Sequence, residues 1–371
     1  MRIGVPTEIK DHEFRVGLTP AAVGAYRAHG HAVLVQRGAG AAIGLSDAQY
    51  EAAGATLLPD AAAVYAQAAM IVKVKEPQPD ELPLLRDGQL LFAYLHLAAD
   101  PQLAAALLER GVVGVAYETI TDAAGRLPLL APMSEVAGRM AVQAAATYLE
   151  KPHGGMGVLL GGVPGVPAAQ LVIVGAGVVG MNAVQAAAGL GARVTVLDRD
   201  LDRLRALDLV FGNRVSTRHA TAAAIHEAVV DADAVIGAVL VPGAAAPKLV
   251  TRATVAAMRP GSVVVDVAID QGGCVETARA TTHTAPTYVL DGVIHYCVTN
   301  MPSAVARTAT LALNSATLAP GLALADRGWR DAMRADPHLC AGLNLAHGQL
   351  THAAVAHALG RPYHAAEHLL G

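Results

Sequence analysis

The sequence predicts an α/β fold of two doubly wound domains, joined by two long helices with a cleft between them. Three observations carry that prediction. Short apolar runs alternate with capped helical segments along the first third of the chain, the pattern of a mostly parallel sheet. A strand, a glycine turn, a helix and a second strand succeed one another between Leu171 and Asp198. Hydrophobic residues make up 53% of the chain, but aromatics only 4%, which suits helices packed closely on buried parallel strands.

The elements follow in order. Residues 3–5 open the first sheet. Thr19 caps a helix that has Pro20 at its first position and Gly30 just past its end. A strand over 32–36 comes next, and Ser46 with Gln49 forms a capping box for a helix ending at Gly54. Strands over 70–75, 90–94 and 112–116 complete this region, with a helix over Pro101–Glu109 between the last two. A long helix is expected over 133–151, capped by Ser134 and stopped before Pro152 and Gly154. Strands near 171–175, 193–197, 234–238, 262–267 and 287–290 build a second sheet, and a long apolar helix runs over 303–324. The expected division is a discontinuous domain of residues 1–130 and 306–371, with residues 131–305 inserted as a second domain.

Composition excludes several classes of function. Net charge is −4 and no Lys/Arg cluster appears, so no nucleic-acid partner is expected. Cys274, Cys297 and Cys340 are widely spaced, with no CxxC. They predict neither a disulfide framework nor a metal site, and point to a reducing, cytoplasmic setting. Residues 154–192 carry no charge, yet Pro164, Pro167 and repeated glycines interrupt them, so burial rather than a membrane explains the run.

The densest chemical signal is Leu171-Val172-Ile173-Val174-Gly175-Ala176-Gly177-Val178-Val179-Gly180, answered by Asp198 at the end of the next strand. Gly175 permits a tight turn, Gly177 lets the backbone approach a pyrophosphate, and Gly180 lets helix and strand pack closely. The helix, placed over 181–190, would offer free N–H groups and its dipole to that anion. Asp198 suits the ribose hydroxyls and repels a 2′-phosphate, which makes this a Rossmann domain for NAD rather than NADP; Arg199 beside it works against that preference.

Other polar residues stand where α/β sheets gather ligands, beyond the carboxyl ends of strands. Arg15 follows the first strand and is either a bidentate grip for a carboxylate or a surface arginine paired with Glu13. Lys73 and Lys75 alternate along one strand and therefore face the same way; Lys75 is the better substrate contact, against a half-exposed edge strand as the alternative. His96 is delivered to the same rim by an apolar run, and can donate to a carbonyl oxygen or shuttle a proton. Asp270, between a buried strand and Gly272-Gly273, is poorly placed for solvation and suits a general acid/base; Asp266, inside the strand, reads as structural.

Together these segments resemble the L-alanine dehydrogenases (the alanine dehydrogenase and transhydrogenase α-subunit family). The resemblance covers nearly the whole chain. It rests on residues 1–20, Val72 to Pro77, Leu95 to Ala98, Pro132 to Arg139, Gly161 to Val166, Ile236 to Leu249, Asp266 to Cys274 and Tyr296 to Pro302. It implies reversible NAD-dependent oxidative deamination of L-alanine to pyruvate and ammonium by a cytoplasmic homo-hexamer. Arg15 and Lys75 match substrate-carboxylate positions, and His96 and Asp270 match the acid/base pair. Ser134, Asp198, Arg203, Leu240, Ile269, Val298, Asn300 and Met301 match cofactor positions. Two departures stand out: Ala220 replaces a cofactor-contacting serine, with Thr221 the nearest hydroxyl, and Thr299 replaces a commoner alanine. Two other functions fit the same resemblance, an NAD(H)-binding module without chemistry of its own, as in transhydrogenase, and a dehydrogenase for a larger amino acid such as saccharopine.

Overall fold

The computed structural model describes residues 1–239 and 246–371, so Leu240 lies outside the described residues. Its contacts form two compact units, Met1–Met133 with Ser303–Gly371, and Ser134–Pro302.

The first unit starts with β1 (Arg2–Val5), α1 (Pro20–Ala28), β2 (Ala32–Gln36), α2 (Asp47–Ala52), β3 (Thr56–Leu58), α3 (Ala61–Gln67), β4 (Met70–Val72), β5 (Leu90–Ala93), α4 (Pro101–Glu109) and β6 (Val113–Ala116). Local chemistry sets the helix ends. The Thr19 hydroxyl accepts from the Ala22 N–H, Ser46 and Gln49 form the reciprocal box, and Gly30 and Gly54 take positive φ after their helices.

The chain crosses to the second unit inside α5 (Ala131–Tyr148). This helix begins earlier than the sequence suggested. Pro132 occupies its second position, where a missing N–H costs nothing, so Ser134 is inside the first turn and is not a cap. Then come β7 (Gln170–Val174), α6 (Val178–Gly189), β8 (Arg193–Asp198), α7 (Leu201–Phe211), β9 (Val215–His219), α8 (Ala222–Val230), β10 (Ala234–Gly237), α9 (Arg252–Ala256), β11 (Val263–Asp266), β12 (Thr287–Leu290) and β13 (Val293–Tyr296). The expected helix over 181–190 in fact starts at Val178, because Gly177 itself serves as its N-cap. A return at Pro302/Ser303 leads to α10 (Ala306–Arg327), β14 (Leu343–Ala346) and β15 (Gln349–Leu350) in the first unit.

Each unit has its own sheet. The first runs β15-β14-β6-β5-β4-β1-β2-β3 and the second β12-β13-β11-β10-β7-β8-β9. Pairing within β1 to β6, and among β7, β8, β9, β10, β11 and β13, is parallel; β14, β15 and β12 join antiparallel at the edges. Numbered within its own unit, each parallel core has the order 3-2-1-4-5-6, so each has one switch point: between β1 and β4, and between β7 and β10. Loops leave in opposite directions there, and the gap they open is where α/β sheets hold ligands.

Candidate functional site

In the first unit the candidate residues gather at that switch point. The loop after β1 carries Glu8, Glu13 and Arg15; the strand β4 hands over to Lys73 and Lys75, β5 to Tyr94 and His96, and β6 to Glu118. Shape keeps the loop in place. A β-carbon on Gly17 would lie 2.3 Å from the Val72 carbonyl oxygen, so only glycine lets the loop run against the end of β4. From α10, Thr310 accepts from the Val16 N–H, and Asn314 both accepts from Thr19 N–H and donates to Gly17 O.

The lysine expectation needs correction. The strand stops at Val72, short of the expected 75, so Lys73 and Lys75 do not share a strand face. Lys73 is fully buried between Glu8 at 3.0 Å and Glu81 at 2.8 Å, and the Tyr65 hydroxyl donates to the same Glu81 oxygen. Burial alone would drive this ammonium towards neutrality, but the two carboxylates outweigh it and raise its pKa. The same burial raises Glu8, despite the attraction of Lys73 and the Val74 N–H that its carboxylate accepts. Lys75 is half-buried, and its ammonium is 3.5 Å from Nε2 of His96.

Arg15 combines features of both expectations. It is paired with Glu13 as the local reading had it, with Nε to Oε1 at 2.7 Å and Nη2 to Oε2 at 2.5 Å. It is not on the surface, however: it is only 2% exposed, and Nη1 donates to Sδ of Met133 at 2.9 Å. Burial opposes its charge, and Glu13 restores it. His96 is in the left-handed region at φ +48°, stacked on Tyr94, with its ring centroid 5.7 Å away. Burial likewise keeps the Tyr94 hydroxyl protonated far above its usual range, and that hydroxyl donates to Leu129 O.

The second unit builds the glycine turn between β7 and α6. Gly175 has φ +106°, and a β-carbon there would meet the Ala238 carbonyl at 2.6 Å. On Gly180 it would lie 1.8 Å from the Gly175 carbonyl oxygen. On Gly177 it would meet nothing nearer than Arg203 Nη1 at 3.8 Å, so the backbone there faces open space at the start of α6. The close approaches at Gly175 and Gly180 match the turn and the helix–strand packing expected of them. Asp198 ends β8, accepts from Ala176 N–H at 2.6 Å and Asp200 N–H at 2.8 Å, and lies 3.8 Å from Arg203. Ser134 is one helical turn before Gly138, whose absent side chain lets α5 touch the Val179 carbonyl, 2.2 Å from a notional β-carbon. That spacing puts Ser134 on the face of α5 turned towards the head of α6. Thr221 is engaged as the cap of α8, and Ala220 before it has no side-chain hydrogen-bonding group.

Asp270 follows β11 on a 3₁₀ turn, Val267–Gln271, and is exposed, contrary to the expectation of a poorly solvated carboxylate. The strand ends sooner than expected, at Asp266, which is buried and accepts from the N–H groups of Ala268 and Val275, as a structural residue should. Lys248 donates to the carbonyls of Gly272, Gly273 and Val275 and ties down the far side of that turn. Ile269 is buried beside Asp270. Val298, Asn300 and Met301 follow β13, the neighbour of β11; Val298 and Met301 are buried, and Asn300 takes φ +61°.

Two family models match, "Alanine dehydrogenase/PNT, N-terminal domain" over residues 4–137 and "Alanine dehydrogenase/PNT, C-terminal domain" over residues 141–353. The chain belongs to the alanine dehydrogenase/PNT family. Alanine dehydrogenase of Halomonas elongata is 57% identical over 371 residues, all of both chains. A solved L-alanine dehydrogenase superposes with a TM-score of 0.94 at 49% identity, over 97% of this chain and 99% of that one. A transhydrogenase from Sinorhizobium meliloti superposes at 0.81 with 26% identity, over 95% and 100% of the two chains. The two α/β units and their parallel sheets are thus the family's fold. Residues that the sequence did not single out, Glu8, Glu81, Glu118, Asn314 and Lys248, now join the described surroundings. The available signal was their position: four of the five are near a strand's carboxyl end or the loop it feeds.

Proposed function

We propose that the chain is an NAD-dependent amino-acid dehydrogenase that converts L-alanine, NAD and water reversibly to pyruvate, ammonium and NADH. The observation that carries this reading is the ammonium of Lys75 beside the imidazole of His96, next to the Arg15 loop at a switch point. The names of the family's close relatives support the substrate. Against the first unit, Lys75 and Arg15 hold the substrate carboxylate. Glu13 takes Nε and Nη2 of Arg15, and Nη1 donates to the weak thioether acceptor of Met133, a bond that a substrate carboxylate can displace.

The glycine turn, Asp198, Arg203 and Ser134 would hold a dinucleotide, and the resemblance gives Ile269, Val298, Asn300 and Met301, and Leu240 outside the described residues, a part in binding it. NAD held by these residues would supply the acceptor for the hydride that leaves Cα of alanine. The substrate amine must be neutral for its lone pair to drive that departure, which predicts a deamination rate that rises towards alkaline pH. Water then adds to the iminium carbon. Asp270 takes the proton of that water, His96 polarises the oxygen that becomes the ketone, and collapse releases ammonia. Geometry requires Cα within roughly 3–3.5 Å of the accepting carbon. The protein is proposed to work as a cytoplasmic homo-hexamer.

The test is to mix the protein with NAD and L-alanine and follow NADH absorbance, pyruvate and ammonium. Equal amounts of the three products are expected. Tight NADH binding without turnover would instead make the chain a nucleotide-binding module.

A further inference from the structure

We infer that Glu118 is a positioning residue for His96, holding the imidazole beside the Lys75 ammonium by gripping the backbone beneath it. The inference rests on the reading of His96 as catalytic. His96 has φ +48° and ψ +34°, a conformation that a side chain disfavours and that persists only where the surroundings over-determine it. Glu118 supplies that constraint. Its Oε1 accepts the His96 N–H at 2.7 Å and the Leu95 N–H at 3.2 Å, and the same oxygen lies 3.9 Å from His96 Nδ1.

The arrangement follows from sheet order. Strands β5 and β6 pair in parallel as far as Ala93 and Ala116. Beyond that point the two chains part, and the carboxylate of Glu118 replaces the ladder's next acceptor. A carboxylate suits this task because two N–H groups converge on it and its charge strengthens both bonds. Its side chain is 14% exposed against 43% for His96, so the anchor is shielded while the ring is presented.

Lys75 faces Nε2, Tyr94 stacks on one face, and Glu118 lies on the Nδ1 side. Behind Glu118 is His352, at the head of the helix Ala353–Ala358, which packs on the turn after His96; Glu118 acts on it electrostatically. Glu118 therefore serves as the backbone anchor and as an anion on the Nδ1 side of the ring.

Two substitutions separate these roles. Glu118→Gln keeps an oxygen for the two N–H groups and removes the charge; Glu118→Ala removes both. For alanine oxidation, Glu118→Ala should lower kcat by about tenfold to a hundredfold through misplacement of the ring, with NADH affinity unchanged. Glu118→Gln should recover most of kcat, but its imidazole-dependent pH limb should move to lower pH, because a neighbouring anion favours the charged imidazole. If Glu118→Ala does not fold, the limb of Glu118→Gln decides alone. An unmoved limb with wild-type kcat in Glu118→Gln, or wild-type kcat in Glu118→Ala, overturns the inference provided His96→Ala is inactive. Turnover by His96→Ala at the wild-type rate overturns the role of His96 itself, and the inference with it.

Discussion

Lys73 and Lys75 are two residues apart and do different work. Lys73 neutralises two buried carboxylates, so Lys73→Met would strand Glu8 and Glu81 without a counter-charge. It should cost about 3–5 kcal/mol of stability, read as a lower urea midpoint. Lys75→Met should leave the midpoint near wild type and instead raise KM for alanine and pyruvate. The opposite pattern would exchange their roles. Glu76 reports on the same loop: burial would raise its pKa, but Lys75 and Lys10 outweigh burial and hold it below 4.5. The stability it contributes is therefore present above pH 4.5 and lost as pH falls through its folded value. The sequence preferred Lys75 as the substrate contact but could not show what Lys73 does, because that depended on Glu8 and Glu81, which reach Lys73 only through the order of the strands.

At the scale of elements, the glycine turn was the most legible feature of the chain, since Gly175 and Gly180 answer local steric demands while Gly177 leaves open space at the head of α6. Two substitutions test that logic. Gly177→Ala finds space for its methyl group and should fold, yet weaken NADH binding about tenfold or more by holding off the pyrophosphate. Gly180→Val meets the Gly175 carbonyl and should disrupt the turn itself, with loss of soluble folded protein. Equal NADH affinity in Gly177→Ala and wild type would remove the pyrophosphate from this turn. Other elements escaped notice. The strand β9, Val-Ser-Thr-Arg-His, has no clean apolar pattern because it forms the edge of its sheet. The pair β12–β13 did carry a signal: Asp291-Gly292, both with positive φ, is a two-residue hairpin turn. His347-Gly348 turns β14 into β15 in the same way.

At the scale of the whole molecule, two sheets of one strand order each focus polar residues at a switch point. That repetition was foreseeable from strand–helix alternation, and the sequence put Arg15, Lys75 and His96 at strand ends; Glu118 was not foreseen, because its reach to His96 depends on β5 and β6 becoming neighbours. Among the described residues no helix is long and apolar enough to cross a membrane. Each unit also holds a histidine shifted by burial, fully buried His295 and half-buried His352. Burial lowers the pKa of His295 and of His352 from 6.5, and in its neutral form His295 donates from Nδ1 to Val293 O. The unfolded chain binds these protons first, so stability should be full above pH 6.5 and decline as pH drops below it. In thermal unfolding across pH, the double variant His295→Asn, His352→Asn should flatten the upper part of that decline. An unchanged slope would place the acid sensitivity elsewhere.

The most direct measurement is the turnover of Asp270→Asn with alanine and NAD, taken beside its affinity for NADH. If this carboxylate manages the proton of the attacking water, NADH affinity stays near wild type while kcat falls by orders of magnitude. Wild-type turnover in that variant would contradict the account.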